Sequence, residues 1–377
     1  MKIYLDNAAT TKVSDEVIKA MQPFFAEKYG NASSLHSFGI QARGAIENAR
    51  KIIAKSINAE PEEIIFTSGG TESDNTALKE IAFTRKKGHI ITSTIEHPAV
   101  LENCRFLEKM GFKLTYLDVD KDGLISLKDL EKAITKETIL VSIMHANNEI
   151  GTIEPIEEIG KICKKHNVLF HTDAVQSFTK IPIDVKKANI DLMSLSAHKI
   201  HGPKGIGALF VKKGTKIGSL MHGGGHEFGL RSGTENVSGI VGFAEAVKTA
   251  KTDNIQKLRD KLINELLKIP ETILNGHKTK RLCNNVNVAF NYIEGEALIL
   301  HLDSRGIAAS TGSACSTKKL EPSHVLLAIG LKPVEAHGSL RLTLSKYTTE
   351  EEIDYAVKNI KEVVENLRKI SPLWGGK

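Results

Sequence analysis

Along most of the chain, short apolar runs alternate with longer segments in which apolar residues recur every three or four positions. Between Val17 and Phe25 this spacing predicts a helix that begins after the capping residue Ser14. Further runs predict strands at Ile64–Thr67, His89–Thr92, Lys113–Leu117, Ile139–Met144, Val168–His171, Asp191–Leu195 and Ala208–Lys212. Strands that alternate with helices specify an α/β fold. We therefore predict a mostly parallel central sheet with helices on both faces.

The last third of the chain contains a second, smaller set of predicted elements. These are strands at Asn285–Phe290, Ile307–Ser310 and Ser339–Leu344 and helices at Glu296–Ser304 and Glu350–Leu367. Thr349 and Glu352 form a capping box at the start of the last helix. We predict a large domain at residues 15–252. The remaining residues, 1–14 and 253–377, are predicted to form a smaller α/β C-terminal domain.

Length and composition narrow the class of protein. The chain has 377 residues, enough for a large core, and a net charge of +6 that is spread along it. Basic residues are not clustered with aromatic ones, so we expect no nucleic-acid partner. No apolar run approaches the ~20 residues that cross a membrane, and the start lacks a signal-peptide core. We expect a cytoplasmic protein with no membrane partner.

The four cysteines lie far apart in the sequence, which argues against a zinc ribbon or a disulfide framework. Cys104 and Cys163 lie among apolar residues at helical spacing and are predicted to fill the core. Cys315 differs because it lies in a run of small residues, 308–317, with nothing bulky to bury it. It is either a reactive thiol or an accidental surface one.

Two further patterns suggest metal sites that we do not favour. Residues 118–129 fit a calcium loop closely, but the preceding segment reads as a strand where that loop needs a helix. We expect instead a turn that leads into a helix capped at Ser126. His222 and His226 have the spacing of a helical zinc pair, but the three glycines between them favour a mobile loop.

Polar side chains follow five of the predicted strands, at the point where each strand ends. The carboxyl ends of parallel strands meet at one edge of a sheet, where such folds bind ligands. The residues concerned are Gly70, Thr71, His97, Asn148, Asp173, Gln176, Ser196, His198 and Lys199. Their shared position predicts a ligand site at that edge.

The chemistry of these residues suggests a particular cofactor. A lysine at a buried strand end can lose its proton and form an imine, and Lys199 has that position. Asp173 could keep a pyridine nitrogen protonated, and the helix start at Gly70 could bind a phosphate. These features together indicate an amino-acid enzyme that uses pyridoxal phosphate. Arg341, inside an apolar strand, could clamp a substrate carboxylate, or it could belong to an ordinary buried ion pair.

The motifs also resemble those of a known family. They are Thr67-Ser-Gly-Gly-Thr-Glu-Ser-Asp-Asn75, Asn147-Asn-Glu-Ile-Gly151, His171-Thr-Asp-Ala-Val-Gln176, Ser196-Ala-His-Lys-Ile-His-Gly-Pro-Lys-Gly205 and Ser313-Ala-Cys-Ser316. The chain resembles the cysteine desulfurases of the NifS/IscS type, within the class V aminotransferase-like enzymes, and is most similar to the IscS branch. The resemblance covers nearly the whole chain and implies the pyridoxal-phosphate-dependent fold of type I.

The resemblance implies roles for individual residues around the cofactor ring. Lys199 would hold the cofactor as an imine, and Asp173 would pair with the ring nitrogen. Gln176 would contact the ring hydroxyl and His97 would stack on the ring face. Asn148 would contact the ring or the substrate.

It also implies a phosphate cradle and a substrate clamp. The cradle would consist of Gly70, Thr71, Ser196, Ala197 and His198, completed by Thr234 from a second subunit of an obligate homodimer. Arg341 would bind the carboxylate of L-cysteine. Cys315 would take the sulfur as a persulfide and leave L-alanine.

The implied partners are sulfur acceptors. They include an iron–sulfur scaffold protein, on which Cys315 could transiently ligate a nascent cluster. Two alternatives stay open at this point. One is a selenocysteine lyase or another pyridoxal-phosphate enzyme of the same fold, and the other is a non-catalytic scaffold subunit that has kept the fold.

Overall fold

A computed structural model describes residues 1–311 and 322–375. Its strands, numbered in chain order, are β1 Ile3–Tyr4, β2 Ile64–Thr67, β3 His89–Ser93, β4 Lys113–Leu117, β5 Thr138–Ser142, β6 Leu169–Asp173, β7 Leu192–Ser196, β8 Gly207–Val211, β9 Thr272–Leu274, β10 Asn285–Phe290, β11 Ile307–Ala308 and β12 Ser339–Thr343. Strands β2 to β8 form one seven-stranded sheet in the order β2-β8-β7-β6-β5-β3-β4. The strands predicted for the large domain are all present, with bounds that differ by at most two residues.

The central sheet is mostly parallel, as predicted. Five consecutive strands of the sheet pair in parallel with one another, in the order β4, β3, β5, β6 and β7. Strand β8 runs antiparallel to both β7 and β2. Since β3, β5, β6 and β7 run the same way, their carboxyl ends meet at one edge. The parallel pairs require crossover connections, which the helices supply.

The helices lie on both faces of this sheet. Their bounds are α1 Asp15–Met21, α2 Pro23–Ala26, α3 Ser37–Ser56, α4 Gly70–Arg85, α5 Pro98–Lys109, α6 Leu127–Ala133, α7 Ile156–His166 and α8 Val237–Lys248. Ile90 packs with α4 and α5 in one apolar cluster, whereas its neighbour Ile91 packs with α3, α7 and α8 in another. Successive strand residues point to opposite faces, so each face carries its own half of the core.

The predicted smaller domain, a name kept here for residues 1–14 and 253–377, contains a three-stranded antiparallel sheet in the order β12-β10-β9, and β1 pairs in parallel with β11. Its helices are α9 Ile255–Leu266, α10 Gly295–Asp303, α11 His324–Ala328, α12 Pro333–His337 and α13 Glu350–Ile370. Ile3 and Leu5 are buried in an apolar cluster whose other members lie between Ile255 and Leu367. This cluster supports the division into residues 15–252 and 1–14 with 253–377, which stays a prediction.

Three predicted helix caps and the predicted strand before the calcium-like loop are confirmed. Ser14 caps α1, Ser126 caps α6, and Thr349 and Glu352 form the capping box of α13. The segment before the calcium-like loop is strand β4, so that loop lacks an entering helix. Among the described residues, no group of three or more His, Cys, Asp or Glu side chains could hold a metal ion. No helix within ranges 1–311 and 322–375 is long and apolar enough to span a membrane.

Candidate active site

A cavity of about 780 Å³ opens at the carboxyl edge of the central sheet and reaches the smaller domain. This volume lies within the ~300–1,000 Å³ range of small-molecule sites. Most of the predicted site residues line it, namely Gly70, Thr71, His97, Asn148, Asp173, Gln176, Ser196, His198, Lys199 and Arg341. The structure therefore brings the ends of these strands together at one cavity.

Lys199 reaches this cavity from a short 3₁₀ turn, Ala197–Lys199, that follows directly on β7. Its Nζ donates hydrogen bonds to the carbonyl oxygens of Ala8 and Ala9, at 2.6 and 2.7 Å. Gln176 Nε2 donates to the same Ala8 oxygen at 2.9 Å. Ala8 and Ala9 thus orient the amine of Lys199 and the amide of Gln176. Ile3 and Leu5, just before them in the chain, are buried in the apolar cluster of the smaller domain.

Asp173 ends β6 at the floor of the cavity, where its Oδ1 accepts a hydrogen bond from the Val175 N–H at 2.8 Å. Burial raises the pKa of Asp173, and it raises that of the adjacent Asp74 further because the charge of Asp173 adds to the effect. His171 lies beside Asp74, with Nε2 and Oδ1 3.7 Å apart, and burial lowers the His171 pKa to about 3. A cation placed in the cavity beside Asp173 would favour its ionised form.

His97 occupies the residue before α5 and caps that helix. Its Nδ1 accepts a hydrogen bond from the Ala99 N–H at 3.1 Å, so the neutral ring carries its proton on Nε2. Burial and, to a smaller extent, the charge of Lys199 together lower the pKa of His97 to about 4. The ring is therefore neutral at physiological pH and presents a flat, uncharged surface to the cavity.

One part of the cavity wall has the features of an anion cradle. Helix α4 begins at Gly70, and no side chain caps its first turn, so the leading N–H groups have no partner within the helix. Ser196 is 1% exposed, and within the described residues its Oγ makes no hydrogen bond. His198 lies beside them, with Nδ1 3.1 Å from the hydroxyl of Thr10. A buried hydroxyl beside a helix start suits a phosphate oxygen.

Arg341 extends from β12 of the smaller domain into the same cavity and is 3% exposed. Its Nη2 contacts Asp6 Oδ1 at 2.9 Å, and its Nη1 donates to the carbonyl oxygen of Asn148 at 3.1 Å. The buried ion pair considered from the sequence is therefore present. The guanidinium nevertheless lines the cavity, where a carboxylate could contact it alongside Asp6.

Three predicted site residues are not on this wall. Ala197 is buried in the 3₁₀ turn and separates Ser196 from His198. Thr234 is exposed and lies outside the cavity of its own chain. Cys315 lies outside the described residues.

The structure adds residues to which sequence reasoning gave no role. Ser323 and His324 line the cavity from the start of α11, where the Ser323 hydroxyl donates to Glu149 Oε2 at 2.5 Å and His324 Nε2 lies 3.1 Å from the Glu96 carbonyl oxygen. Asp74 also lines the cavity. It lies in the motif at residues 67–75, in which only Gly70 and Thr71 were predicted to bind the cofactor. Nothing in the spacing of Ser323 and His324 marks them, because only the domain arrangement brings them to the sheet edge.

Glu96 directly precedes His97 in the chain, and its carboxyl group is fully buried. Its Oε1 accepts hydrogen bonds from Ser93 Oγ at 2.7 Å and from the Met144 N–H at 2.9 Å. Burial raises the pKa of Glu96 to about 8, so the folded protein holds this proton at pH 7. A raised folded-state pKa stabilises the fold at low pH, and that contribution disappears as the pH rises from 4.5 to 8.

Replacing Glu96 with glutamine should therefore flatten the pH dependence of stability. This carboxyl lowers the free energy of unfolding by at most about 1.4 kcal/mol per pH unit across that window. Urea titrations at pH 5, 6.5 and 8 would measure the slope for the wild type and Glu96→Gln. Glu108→Gln, at an exposed position of α5, is the control. Equal slopes for the wild type and Glu96→Gln would show that Glu96 is ionised in the folded state.

Comparison with known proteins places this fold and site in a family. The chain belongs to the class-V aminotransferase family, whose pattern matches residues 3–356. It is 56% identical to cysteine desulfurase IscS of Methanosarcina thermophila, over 98% of this chain and 94% of that protein. It is 54% identical to cysteine desulfurase IscS of Dictyoglomus turgidum, over 98% and 96%. Within the family, the chain therefore belongs with the IscS cysteine desulfurases.

Solved structures agree with this placement. A NifS-like protein superposes with a TM-score of 0.92 at 44% identity, covering 97% of this chain and all of that chain. SspA in complex with cysteine superposes with a TM-score of 0.84 at 42% identity, covering 92% of this chain and all of that chain. The resemblance predicted from the motifs is confirmed, and so is the fold of type I.

Enzymes of this family depend on pyridoxal phosphate, and the cavity residues fit that group. The unpartnered Ser196 hydroxyl and the uncapped start of α4 suit its phosphate. The buried Asp173 carboxyl suits a protonated ring nitrogen, and the Lys199 amine reaches the same space. The donor set contains an acid, an amine and an anion cradle, which are the groups that this cofactor requires.

Proposed function

We propose that the protein converts L-cysteine to L-alanine and holds the released sulfur as a persulfide on Cys315. The observation that carries this proposal is the convergence of Lys199, Asp173, His97 and Arg341 on one cavity. That arrangement supports an enzyme acting on an amino acid rather than a scaffold that has only kept the fold. The IscS desulfurases, which share more than half of its residues, favour cysteine as the substrate.

Pyridoxal phosphate, when bound, supplies an electron sink for charge that develops at the substrate's Cα. In this proposal Asp173 keeps the sink cationic, and Gln176 and His97 orient it. Lys199 Nζ removes the proton at Cα and later returns protons to the carbon skeleton, a task for which an amine beside the cavity is suited. Arg341 binds the substrate carboxylate and so fixes which bond at Cα faces Lys199.

The sulfur step belongs to Cys315. Its thiolate attacks the sulfur of the substrate, so that a sulfur–sulfur bond forms while the substrate's carbon–sulfur bond breaks. The electron pair of the broken bond stays with the carbon, which gains a proton and becomes the methyl group of alanine. No external oxidant is required, because the two-electron reduction of the carbon balances the two-electron oxidation of sulfur from the thiol to the persulfide level.

The partners follow from the fate of that sulfur. We infer that the protein passes it to acceptors that include an iron–sulfur scaffold protein, where Cys315 transiently ligates the growing cluster. Thr234 lies outside the cavity of its own chain, which supports a homodimer in which Thr234 serves the second subunit. A thiol that must stay reduced also favours the cytoplasm as the working compartment.

Product analysis tests the proposed function. The purified protein with pyridoxal phosphate and ³⁵S-labelled L-cysteine should form alanine and carry label on Cys315. Formation of pyruvate or exchange with a keto acid would indicate an aminotransferase, and turnover restricted to selenocysteine would indicate a lyase for that substrate. A protein that binds no cofactor and forms no alanine would contradict the proposal.

Arg341→Lys should weaken binding of the substrate more than it slows the chemistry. Lysine keeps the charge opposite Asp6 but loses the planar fork that binds a carboxylate with two hydrogen bonds. We expect KM for cysteine to rise about 10- to 100-fold, with a smaller change in kcat. Arg259→Lys, at another buried arginine of the smaller domain, is the control. An unchanged KM would show that Arg341 serves only the ion pair.

A further inference from the structure

The segment between Met221 and Thr234, here called the glycine-rich loop, is anchored by a buried ion pair. Glu227 accepts two hydrogen bonds from Arg50, Nη1 to Oε2 at 2.8 Å and Nη2 to Oε1 at 2.9 Å. Glu227 Oε2 also accepts the Phe66 N–H of β2 at 2.8 Å. The side chains of Arg50 and Glu227 are each only 4% exposed, so this anchor is shielded from water.

The backbone of the loop depends on this anchor. Glu227 and Phe228 both have left-handed backbone angles, with φ of 50° and 59°, which are unfavourable for residues other than glycine. The Arg50 guanidinium lies between the rings of Phe66 and Phe228, 4.8 and 4.9 Å from their centres. Arg50 therefore compensates the unfavourable backbone by binding both the carboxylate and the ring.

A second ion pair ties the loop to the anion cradle. Arg231 Nε contacts Glu72 Oε1 at 3.0 Å, and Glu72 Oε2 accepts the Ser68 N–H at 2.8 Å. Glu72 lies in the first turn of α4, directly after Gly70 and Thr71. The two anchors argue against the mobile loop expected from the glycines, and they fix the loop to β2 and α4 of its own chain.

Thr234 ends this anchored loop at an exposed position, away from the cavity of its own chain. We propose that Arg50 is a positioning residue for the cofactor site of a second copy of the chain. By holding Glu227, it presents Thr234 so that its hydroxyl completes the anion cradle across the dimer. This inference rests on the proposed function and on its homodimer.

Hydrogen exchange on the full-length protein tests whether Arg50 holds the loop. Lysine at position 50 keeps the positive charge but cannot make the paired hydrogen bonds to Glu227. In Arg50→Lys, amides within the loop, such as that of Gly229, should exchange on the order of tenfold faster. The Phe66 amide, which Glu227 accepts, should follow them, and amides distant from Arg50 should be unchanged. Arg259→Lys, at an equally buried position outside the loop, should leave loop exchange at the wild-type rate. Unaltered loop exchange in Arg50→Lys would contradict the positioning role.

Mixed dimers test whether the effect crosses the interface. One subunit carries Lys199→Ala with an intact loop, and the other carries Arg50→Lys with Lys199 intact. Only the second subunit can react, and its cradle is completed by the intact loop of the first. The activity and cofactor retention of this second subunit should equal those of the wild-type subunit in a mixed dimer of Lys199→Ala and wild type. The Arg50→Lys homodimer should lose about 10- to 100-fold in kcat/KM and release the cofactor faster.

A mixed dimer as impaired as the Arg50→Lys homodimer would show that Arg50 acts within its own chain. A monomeric wild type would overturn the proposal as well. Thr234→Ala leaves the ion pair in place and is tested in the same pairing, in case Arg50→Lys fails to fold. If Thr234→Ala impaired only the site of the subunit that carries it, this result would also contradict the proposal. Loop exchange and cofactor release can be measured even if the wild type forms no alanine. Failure of the proposed function can therefore be distinguished from failure of this inference.

Discussion

Lys199→Ala is expected to lose nearly all turnover of cysteine, with kcat lower by about 10⁴-fold or more. The methyl group can neither join the cofactor covalently nor move the proton at the substrate's Cα. No described amine replaces it in the cavity. A second half-buried lysine nearby, Lys180, donates to the carbonyl oxygens of Gln176 and Lys199 and does not line that cavity.

Alanine formation from cysteine under saturating cofactor measures this effect. Lys204→Ala is the matched control, because Lys204 is exposed and only five residues along the chain. We expect the control to keep wild-type turnover and the cofactor absorbance. Turnover of Lys199→Ala within tenfold of the wild type would remove Lys199 from the proposed chemistry.

Cys315→Ala is expected to separate cofactor binding from sulfur transfer. The variant should keep the absorbance near ~420 nm that marks a lysine-bound cofactor. It should form no alanine from cysteine, because no thiolate is left to accept the sulfur. The other cysteines are poor substitutes, since burial raises the pKa of Cys104 and Cys163 to about 12 and also raises that of Cys283.

Cys283→Ala is the control for this experiment, because Cys283 is the least buried of the described cysteines. It should retain both the absorbance and alanine formation. Mass spectrometry after incubation with cysteine should find an added sulfur on Cys315 in the control and none in Cys315→Ala. Full desulfurase turnover by Cys315→Ala would exclude the persulfide role.

Much of the central sheet could be predicted from the sequence. The strand pattern is strong because β3, β5, β6 and β7 are almost fully buried, and each contains at least two consecutive apolar residues. The rule that ligands bind at the carboxyl edge of such a sheet then placed Asp173 and Lys199 together. These predictions needed only local periodicity and one topological rule.

Other features could not be predicted, because they depend on contacts between distant segments. The Lys199 amine is held by Ala8 and Ala9, 191 and 190 residues away in sequence. Backbone carbonyls carry no sequence signal, so nothing in the residue types marks this contact. The bond between Arg50 and Glu227 could not be predicted either, because its partners are 177 residues apart and the chain contains many other charged residues.

The amino-acid sequence by itself determined the succession of strands β2 to β8 along the chain, the caps of α1, α6 and α13, and the residue types of the site. Each of these depends on neighbours within a few positions, where spacing and side-chain chemistry are decisive. Tertiary structure alone decided that Arg341 pairs with Asp6 while it lines the cavity, and that Thr234 lies outside it. Both follow from how the two sets of elements pack, because the geometry of a site depends on distances that the linear order does not contain.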